Sequence, residues 1–384
     1  MLENRFILCF GKDWQESPTS NNHIMSLLVR RNTVIWFFST GLRRPSLVSR
    51  QDLGKIFRKI KENALGLRKV KDNLFLYTPL VIPFQKYKLI RALNRFILRR
   101  MVNKIIKRFK AQSVDIWLFY PTAFELIRGI KRNILIYYCT DQWSEFSYLD
   151  PKLMQDEEAK VLQNSDAIFT SSQVLYELKK PFNTNTFYMP HGVDFDFFSS
   201  MADTTVELSK DLRAVNPPII GFYGLIQDWI DFRLIQKIAQ SHPQWSVILI
   251  GKIAADISLI RNLPNVYFLG EKKYSELPLY SNFFDVAIIP YDIKDPRMQT
   301  VNPTKLLQYL ASGLAVVAVD LPEVRNYNEV IYIAKNHDDF VKKIEQALKE
   351  NNEELVKKRK LAVKGESWQE RVEKISEIII DKIR

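Results

Sequence analysis

Short apolar runs alternate with longer amphipathic stretches along the first half of the chain. The runs have the length and composition of buried strands, and the stretches carry apolar residues at helical spacing. We predict strands at residues 5–10, 34–38, 73–77, 115–119, 134–139, 166–170 and 186–189. The predicted helices between them include residues 22–30, 51–63 and 152–163. Alternation of this kind predicts a doubly wound parallel sheet.

The second half of the chain repeats the alternation. Strands are predicted at residues 219–223, 246–250, 266–269, 285–290, 315–319 and 330–333. Glycine follows three of these strands, at Gly224, Gly251 and Gly270, and glycine in such a place lets the backbone approach a ligand closely. A polar stretch at residues 199–216, followed by two prolines, predicts a connection between domains. A chain of 384 residues is long enough for two domains, each with its own core.

The segment from Asn302 to Gly313 carries a helix signal at each end and lies between two predicted strands. Asn302 can cap the helix, Pro303 suits its first position, and Gly313 can end it. In a βαβ unit such a helix begins at the carboxyl ends of the strands, where free N–H groups favour anions. Lys305 adds a positive charge in the first turn, and Gln308 shares its face. These residues predict an anion site.

This segment also resembles the donor site of GT-B glycosyltransferases, through N-P-T-K-L-L-Q-Y-L-A-S-G-L-A-V-V at residues 302–317. The resemblance is closest to the large retaining family 4, which includes bacterial polysaccharide and teichuronic-acid-type enzymes. In that family a Glu that contacts the nucleotide ribose usually stands where Gln308 stands here. A second Glu, near the donor sugar, usually stands where Thr300 stands. The resemblance implies a retaining hexosyltransferase that needs no metal, and the two missing Glu residues bear on retention.

Two further segments resemble the same family. C-T-D-Q-W-S-E-F, at residues 139–146, follows a predicted strand that in GT-B enzymes often ends in a group facing the donor sugar. Asp141 would act there as a base if the reaction inverts configuration, or as an orienting group if it retains it. The alternative is that Asp141 caps the following turn. P-H-G-V-D, at residues 190–194, resembles the segment that ends the first domain in this family.

The resemblance implies two Rossmann-like doubly wound domains that face each other across a cleft. The first, acceptor-side domain would span residues 1–192 with a returning helix at 367–384, and a linker at 193–216 would lead to a nucleotide-sugar domain at 217–366. The implied catalytic residues are Asp141 and Lys305. The implied donor-binding residues are Gly224, Gly251, Thr300, Val301, Asn302, Thr304, Lys305 and Gln308. The implied acceptor or cleft residues are Gly11, Asp13, Trp143 and His191.

Composition and missing motifs exclude several other classes. No G-x-G-x-x-G follows the first predicted strand, which counts against a nicotinamide-dependent oxidoreductase. The four histidines and two cysteines have no zinc-ligand spacing, and fixed positive groups could replace a divalent cation, so we expect neither a cofactor nor a metal. Cys9 and Cys139 lie in strand-like runs, which indicates buried thiols in a reducing compartment. There is no apolar run long enough for a transmembrane helix, and the first residues do not have the pattern of a signal peptide.

The positive charge of the chain is concentrated in its first half. Residues 1–190 carry a net charge of +15, whereas the remainder carries −2. Residues 86–110 read as one helix with ten basic residues and no acidic one. The apolar positions predicted to face the sheet are Ile90, Leu93, Ile97, Met101, Ile105 and Phe109. The residues predicted to form an outward cationic stripe are Lys88, Arg91, Arg95 and Arg99.

A surface of one sign predicts an anionic partner. Anionic lipid on the cytoplasmic leaflet attracts each nearby Lys or Arg, and an apolar loop at residues 79–84 could touch the bilayer or a lipid-linked acceptor. Nucleic acid could also neutralise the charge, but the sequence contains no recognised nucleic-acid module. We therefore expect a cytoplasmic protein attached peripherally to the inner face of the plasma membrane, with no nucleic-acid partner.

The predicted function is glycosyl transfer from a nucleotide sugar to a glycan or lipid-linked acceptor in bacterial surface polysaccharide assembly. Two alternatives remain open at the level of the sequence. The first is a non-catalytic GT-B module that binds a nucleotide, a glycan or a partner enzyme at the membrane. The second is a sugar-nucleotide epimerase, which would use the same two-domain architecture without an acceptor. Binding without turnover would favour the first alternative, and epimer formation would favour the second.

Overall fold

A computed structural model of the chain describes residues 1–38, 63, 66–79, 82, 88–200, 212, 215–350 and 352–383. The predicted helix at residues 51–63 and most of the apolar loop at residues 79–84 lie outside this set. Contacts divide the chain into two units. Unit 1 consists of Met1–Pro190 and Arg371–Arg384, and unit 2 consists of His191–Glu370.

Unit 1 is built on an eight-stranded sheet of order β3-β4-β2-β1-β5-β6-β7-β8. The strands are β1 Phe6–Gly11, β2 Thr33–Phe38, β3 Arg68–Lys71, β4 Leu74–Tyr77, β5 Asp115–Leu118, β6 Ile134–Cys139, β7 Ala167–Thr170 and β8 Thr186–Tyr188. All neighbouring strands are parallel except β3, which pairs antiparallel with β4. The seven predicted strands are confirmed. The strand β3 was not predicted, because this edge strand consists mostly of exposed basic residues and lacks the apolar pattern of a buried strand.

Helices connect these strands and cover the sheet. They are α1 Ser20–Leu28, α2 Lys88–Arg108, α3 Ala123–Ile127, α4 Pro151–Asn164 and α5 Gln173–Lys179. The core between helices and sheet is aliphatic and aromatic, with Leu8, Ile116 and Tyr137 fully buried. Because all strands but β3 run in one direction, the carboxyl ends of β1, β5 and β6 meet at one edge of the sheet.

The orientation of α2 differs from the prediction. The side chains that the helix buries are Asn94, Leu98, Val102 and Ile105, at helical spacing. Leu93, predicted to face the sheet, is 47% exposed. The predicted cationic stripe was also wrong: Arg91 and Arg95 are half-buried on the flank of the helix, and only Arg99 of these is exposed. The side chain of Lys88 lies outside the described set.

The contacts of Asn94 explain why the prediction failed. Its amide accepts a hydrogen bond from the Ile82 N–H at 2.8 Å and donates one to the Ile82 carbonyl at 2.9 Å. Arg95 forms an ion pair with Glu125 of α3. The helix carries more apolar residues than one face can bury, so a polar residue with a backbone partner settles its rotation. Hydrophobic spacing alone could not have shown this.

A buried histidine in α1 predicts acid sensitivity. Burial, with help from the charge of Lys12, lowers the pKa of His23 to about 4. Between that value and the ordinary histidine pKa of 6.5, the unfolded chain binds a proton that the folded chain does not. We therefore expect His23→Gln to lose less stability than the wild type as the pH falls from about 6.5 to 4, by up to about 3 kcal/mol. Chemical denaturation at pH 7.5 and pH 4.5 measures this, and equal losses in both proteins would contradict it.

Unit 2 contains a six-stranded, wholly parallel sheet of order β11-β10-β9-β12-β13-β14. The strands are β9 Ile219–Tyr223, β10 Ser246–Ile250, β11 Val266–Phe268, β12 Val286–Ile289, β13 Ala315–Val319 and β14 Tyr332–Ala334. The helices are α6 Phe195–Ser200, α7 Phe232–Ser241, α8 Leu277–Ser281, α9 Thr304–Ala311, α10 His337–Leu348 and α11 Glu353–Lys364, and α12 Trp368–Ile383 follows. Each of the six predicted strands is present. Strong alternation of buried strands and amphipathic helices was therefore sufficient to predict both sheets.

The chain enters and leaves unit 2 at one place. Val193 pairs in parallel with Ser367, and the Val193 N–H donates to the Glu366 carbonyl at 2.8 Å. Gly192 is required here, because a Cβ at this position would lie 2.7 Å from the Trp368 nitrogen. Phe198 of α6 is fully buried in the core of unit 2, although the sequence placed it in the linker at 193–216. From Arg371 onward, the residues of α12 cluster with unit 1.

Candidate active site

In unit 2, two glycines allow the loops after β9 and β10 to touch. Gly224 and Gly251 have φ values of +146° and +148°, which side chains rarely adopt. A Cβ on Gly251 would lie 1.8 Å from the Gly224 carbonyl oxygen. Gly251 was predicted to allow a close approach by ligand. In the structure, it allows a close approach by the neighbouring backbone instead.

Helix α9 begins at this same edge of the sheet, one residue later than the sequence suggested. Pro303 occupies the cap position rather than the first helical position, and its side chain makes no capping hydrogen bond. Its ψ of 101° is extended, so the helical conformation starts at Thr304. The predicted end of the helix is confirmed: Gly313 has φ of +83°, and the Leu314 N–H donates to the Tyr309 carbonyl at 3.0 Å. The uncapped beginning of α9 therefore keeps its attraction for an anion.

Lys305 lies in the first turn of α9 and points along the backbone of Gly224. Its Nζ donates to the Tyr291 hydroxyl and lies 5.2 Å from the centre of the Phe222 ring. Its Cε would lie 3.0 Å from a Cβ at Gly224, so the missing side chain of that glycine makes room for the lysine. Among the residues that the structure describes, no carboxylate lies within ion-pair distance of Lys305. A half-buried charge without a counterion, beside an uncapped helix start, favours binding of a phosphate.

The other predicted donor-site residues lie on the segment leading into α9 and on the helix itself. Val301, Asn302 and Thr304 are half-buried. Thr300 is buried, and its hydroxyl donates to the Arg297 carbonyl at 3.1 Å, so it ends a short 3₁₀ helix. Gln308 is half-buried, and its amide lies near the hydroxyl of Tyr274.

The sequence did not indicate the role of Arg297. Its guanidinium lies over the Trp229 ring at 5.1 Å and contacts Asp295 and Asp228, the latter at 2.9 Å. The contacts with Asp295 and Asp228 raise the pKa of Arg297. Burial raises the pKa of Asp295, but the contacts with the guanidinium outweigh burial and hold that pKa below its ordinary value. The cluster joins the loop after β9 to the loop after β12. About seventy residues separate its partners in sequence, so no local pattern reveals the contact.

In unit 1, three polar side chains follow neighbouring strands at the same offset. Asp13, Tyr120 and Asp141 each come two residues after the end of β1, β5 and β6, which are adjacent in the sheet. Burial raises the pKa of Tyr120, and the nearby charge of Asp141 raises it further. Burial also raises the pKa of Asp141, although a hydrogen bond from the Thr140 hydroxyl at 2.6 Å lowers it. The common offset of two residues after the end of a strand could have identified Tyr120 in the sequence.

The loop that follows Asp141 carries three aromatic rings in contact with one another and with Tyr120. The Tyr120 and Trp143 rings are 4.8 Å apart, those of Trp143 and Phe146 are 5.7 Å apart, and those of Phe146 and Tyr148 are 5.5 Å apart. Trp143 is buried, whereas Tyr148 is 37% exposed. A carboxyl group of raised pKa beside an exposed aromatic ring can exchange a proton with a hydroxyl of a stacked sugar.

A buried ion pair supports the loop that carries Asp141. Lys179 Nζ lies 2.7 Å from Glu158 Oε2 and donates to the Gln142 side-chain oxygen at 2.6 Å. The Tyr137 hydroxyl donates to the other oxygen of Glu158 at 2.8 Å. Both charged side chains are about 95% buried, so the pair holds Gln142 firmly and fixes the backbone next to Asp141.

Two further predicted acceptor residues serve packing. Gly11 is buried, and a Cβ there would lie 2.4 Å from the Trp36 ring, so its absence makes room for that tryptophan. His191 is 6% exposed and packs 6.0 Å from the Trp368 ring within unit 2. Asp13 is also buried, and its carboxylate accepts from the Gln15 N–H at 3.1 Å. The fourth, Trp143, lies in the same loop as Asp141, two residues further along the chain.

Comparison with known proteins gives the class of the chain. Residues 217–350, which form most of unit 2, match the family described as glycosyl transferases group 1. Over most of unit 2, the chain is therefore similar to group 1 glycosyltransferases. A Bacillus subtilis protein named as a candidate teichuronic acid biosynthesis glycosyltransferase is 28% identical over 275 residues, which covers 66% of this chain and 68% of that protein. The prediction of a glycosyltransferase is thereby confirmed.

Solved structures show that this glycosyltransferase has the GT-B fold. Sucrose-phosphate synthase from Thermosynechococcus elongatus has a TM-score of 0.72 at 12% identity, covering 98% of this chain and 99% of that one. Anabaena HepE in complex with UDP and glucose has a TM-score of 0.67 at 13% identity, covering 98% and 100%. An E. coli trehalose-6-phosphate structure bound with UDP-2-fluoro glucose has a TM-score of 0.66 at 11% identity, covering 98% and 99%. The predicted fold class is confirmed.

Proposed function

We propose that this glycosyltransferase moves a hexosyl group from a nucleoside diphosphate sugar to a glycan or lipid-linked acceptor in bacterial surface polysaccharide assembly. The observation that carries the donor assignment is Lys305, which lies at the start of α9 with no counterion among the residues that the structure describes. The similarity to the Bacillus subtilis protein named for teichuronic acid biosynthesis supports the polysaccharide role. Two of the similar structures hold a uridine nucleotide, so UDP-sugars are the first donors to test.

In the proposed reaction, negative charge grows on the diphosphate as the bond to the sugar breaks. Lys305 and the N–H groups at the start of α9 stabilise that charge in place, which lowers the barrier. The Tyr291 hydroxyl and the space left by Gly224 position the lysine side chain. These fixed positive groups supply what a divalent cation supplies in other transferases, so the proposed transfer is independent of metal.

Asp141 is the proposed group on the acceptor side. Its raised pKa suits proton exchange with an acceptor hydroxyl, as a base in an inverting reaction. In a retaining reaction, the outcome that the family resemblance favours, it would orient the sugar. NMR of the anomeric configuration of the product distinguishes these outcomes, because the two reactions give opposite anomers.

A panel of UDP-sugars tests the proposed function. Thermal shift should reveal a donor that raises Tm, because a ligand that binds only the folded state stabilises it. The same donor should release UDP when a glycan acceptor is added. Donor binding without any release of UDP would favour a non-catalytic module. Conversion of the free donor to its epimer would favour an epimerase.

Gln308 offers a specific test of the donor site. As an amide it can both donate to and accept from a ribose hydroxyl, and it lies near the Tyr274 hydroxyl. We expect Gln308→Ala to weaken donor binding about tenfold, the cost of one such hydrogen bond, with a smaller change in kcat. Isothermal titration with UDP measures this. An unchanged affinity for UDP would remove Gln308 from the donor site.

We also propose that the protein works as a cytoplasmic enzyme attached peripherally to the inner face of the plasma membrane. Among the described residues, no helix is both long and apolar enough to cross a bilayer. The net charge of +13 is carried by the half of the sequence that forms unit 1. An anionic lipid surface would attract that charge while presenting a lipid-linked acceptor to the enzyme.

A further inference from the structure

The outer face of α2 carries apolar side chains that the fold leaves uncovered. Leu89 is 85% exposed, Leu93 is 47% exposed and Phe96 is 63% exposed. At helical spacing these three residues lie opposite the buried stripe that includes Leu98 and Val102. A soluble surface rarely groups large apolar side chains in this way without a partner.

The same face becomes basic toward the end of the helix. Arg99, Arg100, Lys104, Lys107 and Arg108 are all exposed. The helix carries eight basic residues and no acidic one. Glu125 of α3 binds Arg95 on the flank of the helix, and no ion pair joins the exposed basic residues of the outer face to another described residue. One face of a single helix therefore combines an apolar half with a cationic half.

We propose that α2 docks unit 1 on an anionic lipid bilayer, with Leu89, Leu93 and Phe96 entering the interface. Arg100, Lys104 and Lys107 then contact lipid phosphates. A helix that lies in the plane of the interface buries its apolar side chains below the headgroups and keeps its basic side chains at their level. This inference gives the membrane attachment proposed above a defined surface, and it does not depend on the identity of the sugar or the acceptor.

The combination of charge and apolar exposure favours lipid over other occupants. A nucleic acid would use the basic half but would leave three apolar side chains in water. A second copy of the chain would have to place one cationic helix face against another, which like charges disfavour. An anionic bilayer satisfies both halves at once, because phosphates neutralise the basic residues and the acyl region accepts the apolar ones.

The expected affinities can be estimated from the number of groups. Each Lys or Arg close to an anionic surface strengthens binding roughly fivefold, and each large apolar side chain that enters the interface strengthens it roughly tenfold. Either half alone gives weak attachment, and the two together give stable attachment that remains reversible. The basic half should lose its contribution in high salt, whereas the apolar half should not.

The test is flotation of the full-length protein with vesicles. One set of vesicles contains phosphatidylcholine alone, and the other contains about 30% phosphatidylglycerol. We expect the protein to float with the anionic vesicles and to stay in solution with the neutral ones. The triple variant Leu89→Ser, Leu93→Ser, Phe96→Ser should lose at least about tenfold in partition. The triple variant Arg100→Gln, Lys104→Gln, Lys107→Gln should lose a similar factor together with the salt dependence.

Matched controls lie on α11 of unit 2. Leu361 is 67% exposed, so Leu361→Ser removes exposed apolar area elsewhere, and Lys357→Gln with Lys358→Gln removes charge elsewhere. These controls should float as the wild type does. All variants should keep the wild-type Tm and the wild-type affinity for UDP, which separates a docking defect from a failure of the proposed donor site.

Three results would overturn the proposal. The first is equal flotation of the wild type with neutral and anionic vesicles. The second is unchanged flotation of the apolar triple variant. The third is a vesicle-free dimer in light scattering that the apolar triple variant dissociates, since a second copy of the chain would then occupy the face.

Discussion

Replacement of Lys305 by alanine is expected to lower kcat/KM at least about 100-fold while Tm changes by no more than about 2 °C. The activity falls because this lysine supplies a full positive charge where the diphosphate leaves, and one such fixed group contributes about 10²–10³ to the rate. The fold tolerates the change because Lys305 is half-buried and contacts only ring faces and one hydroxyl. Steady-state kinetics with a UDP-sugar, together with thermal denaturation, measure both effects.

Two further variants test whether the loss of activity in Lys305→Ala comes from the loss of the positive charge. Tyr291→Phe removes the hydroxyl that Lys305 contacts but keeps the lysine, so we expect a loss of about tenfold or less. Lys357→Ala removes an exposed lysine of α11 and should change neither activity nor Tm. Near-normal turnover of Lys305→Ala would contradict the role assigned to this lysine. A large fall in its Tm would show that it acts through the fold instead.

Replacement of Asp141 by asparagine should lower kcat at least about 100-fold and leave the protein equally stable or more stable at pH 8. General acid–base groups contribute about 10²–10⁴, and asparagine cannot exchange a proton. Burial raises the pKa of Asp141, so above its unfolded value of 3.8 the folded chain holds this proton more tightly than the unfolded chain does. The stability of the wild type therefore falls as the pH rises through that window, and the variant avoids this loss.

The pH dependence of activity and a control substitution at Asp150 complete the test of Asp141. If Asp141 acts as a base, wild-type activity should rise with pH through its raised pKa, and the variant should lack that limb. Asp150 caps α4 by accepting from the Leu153 N–H at 3.1 Å, so Asp150→Asn should behave in the opposite way. We expect it to keep activity and to lose about 0.3–1 kcal/mol of stability, because asparagine still caps the helix but lacks the negative charge that the helix N-terminus favours. An Asp141→Asn variant that is active, or that is destabilised as Asp150→Asn is, would refute the role of Asp141.

The strands and the donor-side helix were predictable because their causes are local. A strand buried on both faces must be a continuous apolar run, and such runs preceded Gly224, Gly251 and Asp141 in the sequence. Helix α9 could be placed to within about two residues because proline and glycine restrict the backbone wherever they stand. The prediction of an anion site at Lys305 followed from the helix start, the strand order and one positive charge.

Features that depend on partners far apart in sequence were not predictable. The contact of Arg297 with Asp228 and Trp229 joins two loops, and neither loop alone shows a pattern. Gly251 packs against the backbone of Gly224, so its role is in packing. The positions of the glycines in the sequence do not reveal this contact. The rings of Tyr120 and Trp143 meet because their loops follow β5 and β6, which are adjacent in the sheet. Phe146 packs on Trp143 within the same loop.

Helix α2 shows which features the sequence determines and which features only the tertiary structure decides. The sequence by itself determined that residues 88–108 form a basic helix rich in apolar side chains. Only the tertiary structure decided which of those side chains face water, because Asn94 bonds the backbone of Ile82 and Arg95 pairs with Glu125. Spacing limits a helix to a set of possible faces, whereas the face that is buried depends on specific partners supplied by the rest of the fold.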